Sequence, residues 1–307
     1  MINYIKSLIK YGSLAGVKEF LVLVFTILAA RCGITLNEKA QQLLTCWSSF
    51  QLLIREERIQ VVAVGDHEFK LTYAASPSGK NQIELALRVP VSISSDLLVF
   101  NQIFLKMEYQ HVLEWFSSVR PQGKIGNIVD LGGNIGCAAL YFSTQFPEAD
   151  IFSLEPEAGN YARLRLNLES NSGRKIKSYQ AAIWTESCKL QCVHDFRDKK
   201  ESSSRFVEPS EAMDASAQPV DAISIQTLMQ IAGFERIDLL KIDVEGAEAA
   251  LLRDADFQDF IKEKVSRIAV EVHEEFITIK EVTTILHPLG FETKPIDEFL
   301  CGIKTNL

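Results

Sequence analysis

The chain has 307 residues, 47% of them hydrophobic and 23% charged, with 32 Lys and Arg against 40 Asp and Glu. That length and apolar content suffice for a full core, with room for a catalytic unit of roughly 200 residues and accessory segments. The formal net charge of −8 opposes a polyanionic partner, and no Lys/Arg-rich stripe overrides it, so nucleic acid is excluded as the expected partner. No internal repeat is visible. Six cysteines, at positions 32, 46, 137, 188, 192 and 301, form no dense framework. The Cys188 and Cys192 spacing fits neither a zinc knuckle nor a thioredoxin motif, so free thiols in a reducing compartment are expected.

At the N-terminus, Phe20 to Ala30 is an apolar run broken only by Thr26. As a helix it spans about 16 Å against a hydrocarbon core of about 30 Å, too short for a transmembrane span. Lys6, Lys10 and Lys18 precede the run as in a signal peptide, yet Glu19 abuts it and an A-x-A cleavage site is missing. Two readings stay open: a helix docked on the catalytic domain, or one lying on a membrane surface, with Ile2, Ile5, Leu8 and Ile9 on one face and Lys6 and Lys10 on the other. The expected location is cytoplasmic, with peripheral membrane contact through residues 1–30 as the variant.

Gln41 to Glu57 shows a helical pattern. Ile59 to Tyr73 and Ile83 to Val89 alternate like strands of a hairpin or meander, with Ser76-Pro77-Ser78-Gly79 as the turn between them. Phe100 to Val119 is again helical, and Pro121-Gln122-Gly123 ends it. The expected organisation is a helical segment over residues 1–55, an accessory α+β cap over 56–123 and a catalytic domain over 124–307.

The catalytic domain opens with N-I-V-D-L-G-G-N-I-G, Asn127 to Gly136. Ile128 and Val129 read as the end of a buried parallel strand with Asp130 at its carboxyl edge, and Gly132, Gly133 and Gly136 free the turn into the next helix. Such a crevice beyond a strand's carboxyl end suits a nucleotide-type cofactor. A dinucleotide fingerprint started at Gly132 would need glycines where Asn134 and Cys137 stand. Ile151 to Leu154 is a second strand ending at Glu155-Pro156, nineteen residues beyond Gly136, and its carboxylate can accept both hydroxyls of a ribose. A third strand runs near Lys177, followed by Ala181 and Ala182. His194 to Pro219 is polar and without periodicity, a solvated insertion or a lid from which Arg205 could reach an acceptor. Ile237 to Glu248, I-D-L-L-K-I-D-V-E-G-A-E, is a buried strand with Lys241 and Asp243 at its end, and Val270 to His273 reads V-E-V-H. Helices are expected at Ala138 to Gln145, Gly159 to Asn171, Ile225 to Ala232, Ala247 to Asp254 and Ile279 to Leu289, and Phe291 to Ile296 with Phe299 to Lys304 as a terminal antiparallel pair.

The Asp130 to Gly136 turn with Asn134 at its middle, Glu155, the Lys241 to Glu248 block, S-I-Q-T-L at Ser224 to Leu228 and V-E-V-H together resemble the FkbM family of class I S-adenosylmethionine-dependent methyltransferases, most strongly over Asn127 to Phe276. The resemblance implies a Rossmann-like α/β fold: a seven-stranded, mostly parallel sheet with helices on both faces and a C-terminal antiparallel hairpin. It implies S-adenosyl-L-methionine as cofactor, with Asp130, Gly132, Gly133, Asn134 and Gly136 at the methionine portion, Glu155 at the ribose, Pro156 and Asn160 in the adjoining pocket, and Ala182 near adenine. Asp243 would contact either the acceptor or the methionine amine.

Methyl transfer to a hydroxyl needs an in-line acceptor about 3 Å from the methyl group and a base. Asp243, Glu245 and His273 are the candidates, with Lys241 to orient substrate or neutralise the acids. Glu245 could instead cap the following helix. Asp243, Glu245, Glu248, Glu271 and His273 could together hold a divalent cation, but Lys241 meets the same carboxylate crowding, and no metal is expected. The expected activity is O-methylation of a hydroxyl on a sugar, glycan or natural product; a nicotinamide-dependent oxidoreductase and a non-catalytic cofactor-binding module are the alternatives.

Overall fold

The computed structural model describes residues 7, 10–11, 17–64, 68–75, 81–88, 95–120, 124–194, 204–207 and 219–304. The expected turns at 76–79 and 121–123, the helical face through residues 2, 5, 8 and 9, and most of the 194–219 stretch lie outside them. The described residues fall into two compact units, one of residues 1–105 with 169–171, the other of residues 106–168 with 172–307.

The first unit is built on an antiparallel sheet, β1 (Ile59–Val64), β2 (Glu68–Ala74) and β3 (Gln82–Arg88), in that order. Alternation puts Phe69, Leu71 and Tyr73 opposite Leu87, Leu85 and Ile83, and all six are buried. The alternating stretch 59–73 is two strands, with a register shift between Val61 and Ala63. Helix Glu38–Leu53 lays Trp47, Phe50 and Leu53 inward, and Phe50 meets Phe69 at 6.2 Å between ring centres. It starts three residues before the expected Gln41, because Asn37 accepts the Ala40 N–H as a cap. Helix Val17–Arg31 packs on it, burying Leu23 and Thr26.

Phe100 to Val119 is not one helix. Asp96–Phe100 runs into a π-helical turn, Asn101–Leu105, and a new helix, Glu108–Val119, begins after Met107 in left-handed backbone (φ 59°). No Gly or Pro marks this break, which accompanies the seating of Tyr109 between Phe142 and Phe299 at 4.9 and 5.2 Å.

The second unit holds a seven-stranded sheet in the order β13-β14-β12-β11-β4-β5-β6. Here β4 is Asn127–Leu131, β5 Asp150–Leu154, β6 Ile176–Tyr179, β11 Leu239–Ile242, β12 Arg267–Glu271, β13 Phe291–Ile296 and β14 Phe299–Lys304. All pairings are parallel except those of β14, so the class expected from sequence is the one found. Strands β4, β11 and β12 are almost wholly buried, as a parallel sheet covered on both faces requires. Chain order reverses at β4, which lies between β5 and β11, so the crevice opens beyond its carboxyl end.

A second, four-stranded sheet was not foreseen: β7 (Ala182–Ile183), β10 (Pro219–Ile223), β8 (Cys188–His194) and β9 (Ser204–Val207). Part of the stretch expected as loop or lid is therefore strand, with Arg205 on β9 opposite Val193. Four residues are too few to show a period, and β9 exists through its ladder to β8. Helix Ala255–Lys264 was also missed, although Asp254 accepts the Phe257 N–H as its N-cap. The last expected helix ends at Leu286 and tightens to a 3₁₀ turn over His287–Leu289.

Candidate active site

The carboxyl end of the sheet is held by one row of polar side chains in register. Ser153, Asp130 and Lys241 stand directly opposite one another on β5, β4 and β11. Asp130 is fully buried; its Oδ2 accepts from the Ser153 hydroxyl at 2.9 Å, and its Oδ1 lies 3.1 Å from Lys241 Nζ. The same ammonium reaches Asp243 Oδ2 at 3.2 Å and donates to the carbonyls of Leu131 and Gly132 at 3.2 and 2.7 Å. Burial alone would depress the Lys241 pKa, but Asp130 and Asp243 outweigh it and hold the ammonium above its ordinary range.

Above this row the backbones approach closely. Gly132 has φ +81°, and a Cβ there would sit 1.8 Å from the Asp243 carbonyl oxygen; at Gly133 it would sit 2.1 Å from Ser153 Oγ. Asn134 follows in left-handed backbone (φ 48°), donates its N–H to Glu155 Oε2 at 2.8 Å, and accepts the Ile135 N–H on its own side chain. Glu155 is 5% exposed, and its Oε1 takes the Glu157 N–H at 2.9 Å. Burial pushes the Glu155 carboxyl up to about 7, against the pull of those two N–H donors.

A cavity of about 580 Å³, counting the solvent at its mouth, opens here. Its lining includes Gly132, Asn134, Glu155, Pro156, Asn160, Ala182, Asp243 and Glu245 from among the sequence candidates. Leu154, Ala181, Ile183, Val244 and Ala247 supply apolar wall. Asp130, Gly133, Gly136, Lys241 and His273 are not in the lining: the first four build the floor and the turn behind it, Gly136 (φ 90°) opening helix Cys137–Gln145, and His273 stands next to the lining residue Glu245. The alanines after β6 thus line the cavity, Ala182 standing on β7 of the four-stranded sheet.

Beyond Asp243 the chain turns through Glu245 (φ 52°) and Gly246 (φ 98°), where a Cβ would strike the Phe276 ring at 2.6 Å. The N-cap of the following helix, Glu248–Arg253, is Ala247, without a side-chain cap bond. Glu245 instead brings Oε2 to 3.4 Å from His273 Nε2. His273 lies two residues past the end of β12 rather than on a strand. It is 8% exposed, and its Nδ1 meets Oε1 of fully buried Glu248 at 2.5 Å, while Nε2 also faces Glu271 Oε1 at 3.9 Å. Burial lowers the imidazole's proton affinity, yet Glu248, Asp243 and Glu245 overcome it and raise the pKa to about 10. Asp243, Glu271 and His273 place one ligand atom each within 4.8 Å of one another, a spacing in which a cation could also be held.

Glu108 and Tyr109 were not anticipated. Desolvation and the nearby Asp243 raise the Glu108 carboxyl to about 7, and the buried Tyr109 hydroxyl feels Asp243, Glu108 and Asp130. They stand ahead of every motif, and nothing in local sequence ties them to the cofactor end of the sheet.

Residues 130–293 match the methyltransferase FkbM domain, more than half of the chain. The protein belongs to the FkbM methyltransferase family. It is a methyltransferase dependent on S-adenosylmethionine, which displaces the nicotinamide alternative. Methyltransferase 1 of Beauveria bassiana is 22% identical over 227 residues, covering 67% of this chain and 90% of that protein. Methyltransferase sdnD of Sordaria araneosa is 28% identical over 192 residues, covering 54% and 73%. Among solved structures, Aeropyrum pernix fibrillarin with natively bound S-adenosyl-L-methionine aligns over 59% of this chain and 67% of its own, with 15% identity and a TM-score of 0.33. The FkbM cofactor fits this cavity: the glycine turn leaves no room for side chains, Glu155 keeps lone pairs beyond its two N–H donors, and the wall at Ala181 to Ile183 is apolar.

Proposed function

We propose that this FkbM methyltransferase methylates a hydroxyl oxygen of a small molecule or glycan, with His273 as the base. The observation that carries this reading is the pair Glu248–His273 beside Asp243 and Glu245, two acids that line the cavity. Glu155 would hold the ribose hydroxyls, Gly132 and Asn134 the methionine portion, Pro156 and Asn160 the adjoining pocket, and Ala181, Ala182 and Ile183 the adenine. Held there, S-adenosylmethionine would supply an electrophilic methyl group, with the neutral thioether S-adenosylhomocysteine as the leaving group. Asp243 orients the acceptor oxygen, and His273 Nε2 takes its proton in the fraction of enzyme whose imidazole is neutral, so turnover should rise with pH toward about 10.

Glu248 fixes the other ring nitrogen and offsets the imidazolium charge, as a buried carboxylate does for a histidine base. Glu248→Gln keeps the side chain's shape but can donate to Nδ1, favouring the wrong tautomer, and should lower kcat by about 100-fold or more. His273→Asn should do the same while binding S-adenosylhomocysteine normally. The test is a panel of hydroxyl, amine and carbon acceptors assayed with wild type and both variants. Exclusive turnover of amines, or full turnover of hydroxyls by His273→Asn, would overturn the assignment, and cofactor binding with no turnover at all would favour a non-catalytic module.

A further inference from the structure

Helix Val17–Arg31 buries one side and leaves the other uncovered. Leu23 and Thr26 turn inward, whereas Leu21, Val22, Phe25 and Leu28 are each about half exposed or more, Phe25 reaching 68%. Their spacing of one, four and seven residues from Leu21 makes a single stripe along the helix. Ile34, just past the helix end, is 59% exposed. Single exposed apolar residues are ordinary, but a continuous stripe marks a surface that something covers.

Charge selects the occupant. Residues 1–31 contain four Lys and Arg, at 6, 10, 18 and 31, against Glu19, a net +3. The whole chain carries −8, which leaves −11 for the remainder. Lys18 lies in the first turn of the helix and Arg31 in the last, bracketing the stripe. A second copy docked symmetrically here would bring +3 against +3. Among the described residues no helix is long and apolar enough to cross a membrane. We infer that this helix lies flat on an anionic lipid surface, with Leu21, Val22, Phe25 and Leu28 among the acyl chains and the net positive charge of residues 1–31 drawing it to the headgroups, while the acidic remainder of the chain is repelled from it.

The test uses the full-length protein in flotation with phosphatidylcholine vesicles and with vesicles that also contain phosphatidylglycerol. The expected result is co-flotation with the anionic vesicles, weakened by high salt, and weaker binding to the neutral ones. Phe25→Ser with Leu28→Ser should reduce partitioning by about tenfold or more, as loss of two inserted side chains requires. Both positions are exposed, and an unchanged melting transition in S-adenosylhomocysteine would show the variant folded. Lys6→Gln with Lys18→Gln should lose the preference for anionic lipid and keep the residual binding. The inference fails if the wild type stays with the soluble fraction in both vesicle types, if the serine variant binds as well as wild type, or if gel filtration shows a dimer that the serine variant dissolves.

Discussion

At the scale of single residues, the site depends on backbone approach more than on side-chain reach. Gly132 is the clearest case, since its left-handed φ and the Asp243 carbonyl each exclude a Cβ. Gly132→Ala should destabilise the fold by about 2–4 kcal/mol, measured by urea unfolding; a loss under about 0.5 kcal/mol would show that the two loops move apart freely. Glu155 carries a different weight. Its replacement by Ala should weaken S-adenosylhomocysteine binding by about 1–3 kcal/mol, the loss of hydrogen bonds to a charged group, and unchanged affinity by calorimetry would remove it from the ribose. Because burial raises this carboxyl to about 7, donation from ribose hydroxyls in the proposed binding mode would draw it toward the ionised form. Binding should therefore release protons near neutrality and tighten from pH 6 to pH 8, and Glu155→Gln should abolish that part of the dependence.

At the scale of elements, the register between β4, β5 and β11 places Ser153, Asp130 and Lys241 in one buried row. Lys241 thereby joins the carboxyl ends of β4 and β11 through Asp130, Asp243 and two carbonyls. Lys241→Met would leave Asp130 as a buried charge without its cation, and a loss of about 3–5 kcal/mol is expected. Adding Asp130→Leu should recover part of that loss, because the unpaired charge goes with it. A double variant no more stable than the single one would place the cost in packing instead.

At the scale of the whole molecule, several buried groups hold protons more tightly than in the unfolded chain. Glu108 and Glu155 are raised from 4.5 to about 7, and His273 from 6.5 to about 10. For each, the folded state binds more protons between the two values, so stability declines as pH rises through that window. The His273 contribution is complete below about 6.5 and is lost as pH passes about 10. The cofactor-free enzyme should melt at a higher temperature at pH 6 than at pH 9, and His273→Asn should flatten the alkaline half of that slope. A melting temperature that climbs toward pH 9 would contradict the buried-charge account.

Much of this was legible in sequence because it depends on local backbone demands. The Asp130 to Gly136 turn, the acid at Glu155 and the Lys241 to Glu248 block each announce a strand end and the loop after it, and strict spacing makes them recognisable together. The buried parallel strands were legible for the same reason, since strands covered on both faces are continuously apolar. What only the tertiary structure decided depends on residues far apart in the chain. The order of strands, the opposition of Asp130 and Lys241, the pairing of Glu248 with His273, and the arrival of Glu108 and Tyr109 at Asp243 leave no local trace. The break at Met107 and the short strand β9 belong with them, the one lacking any Gly or Pro and the other made by its ladder to β8. Periodicity reports which face of an element is buried; the identity of its neighbour is settled only when distant segments share one core.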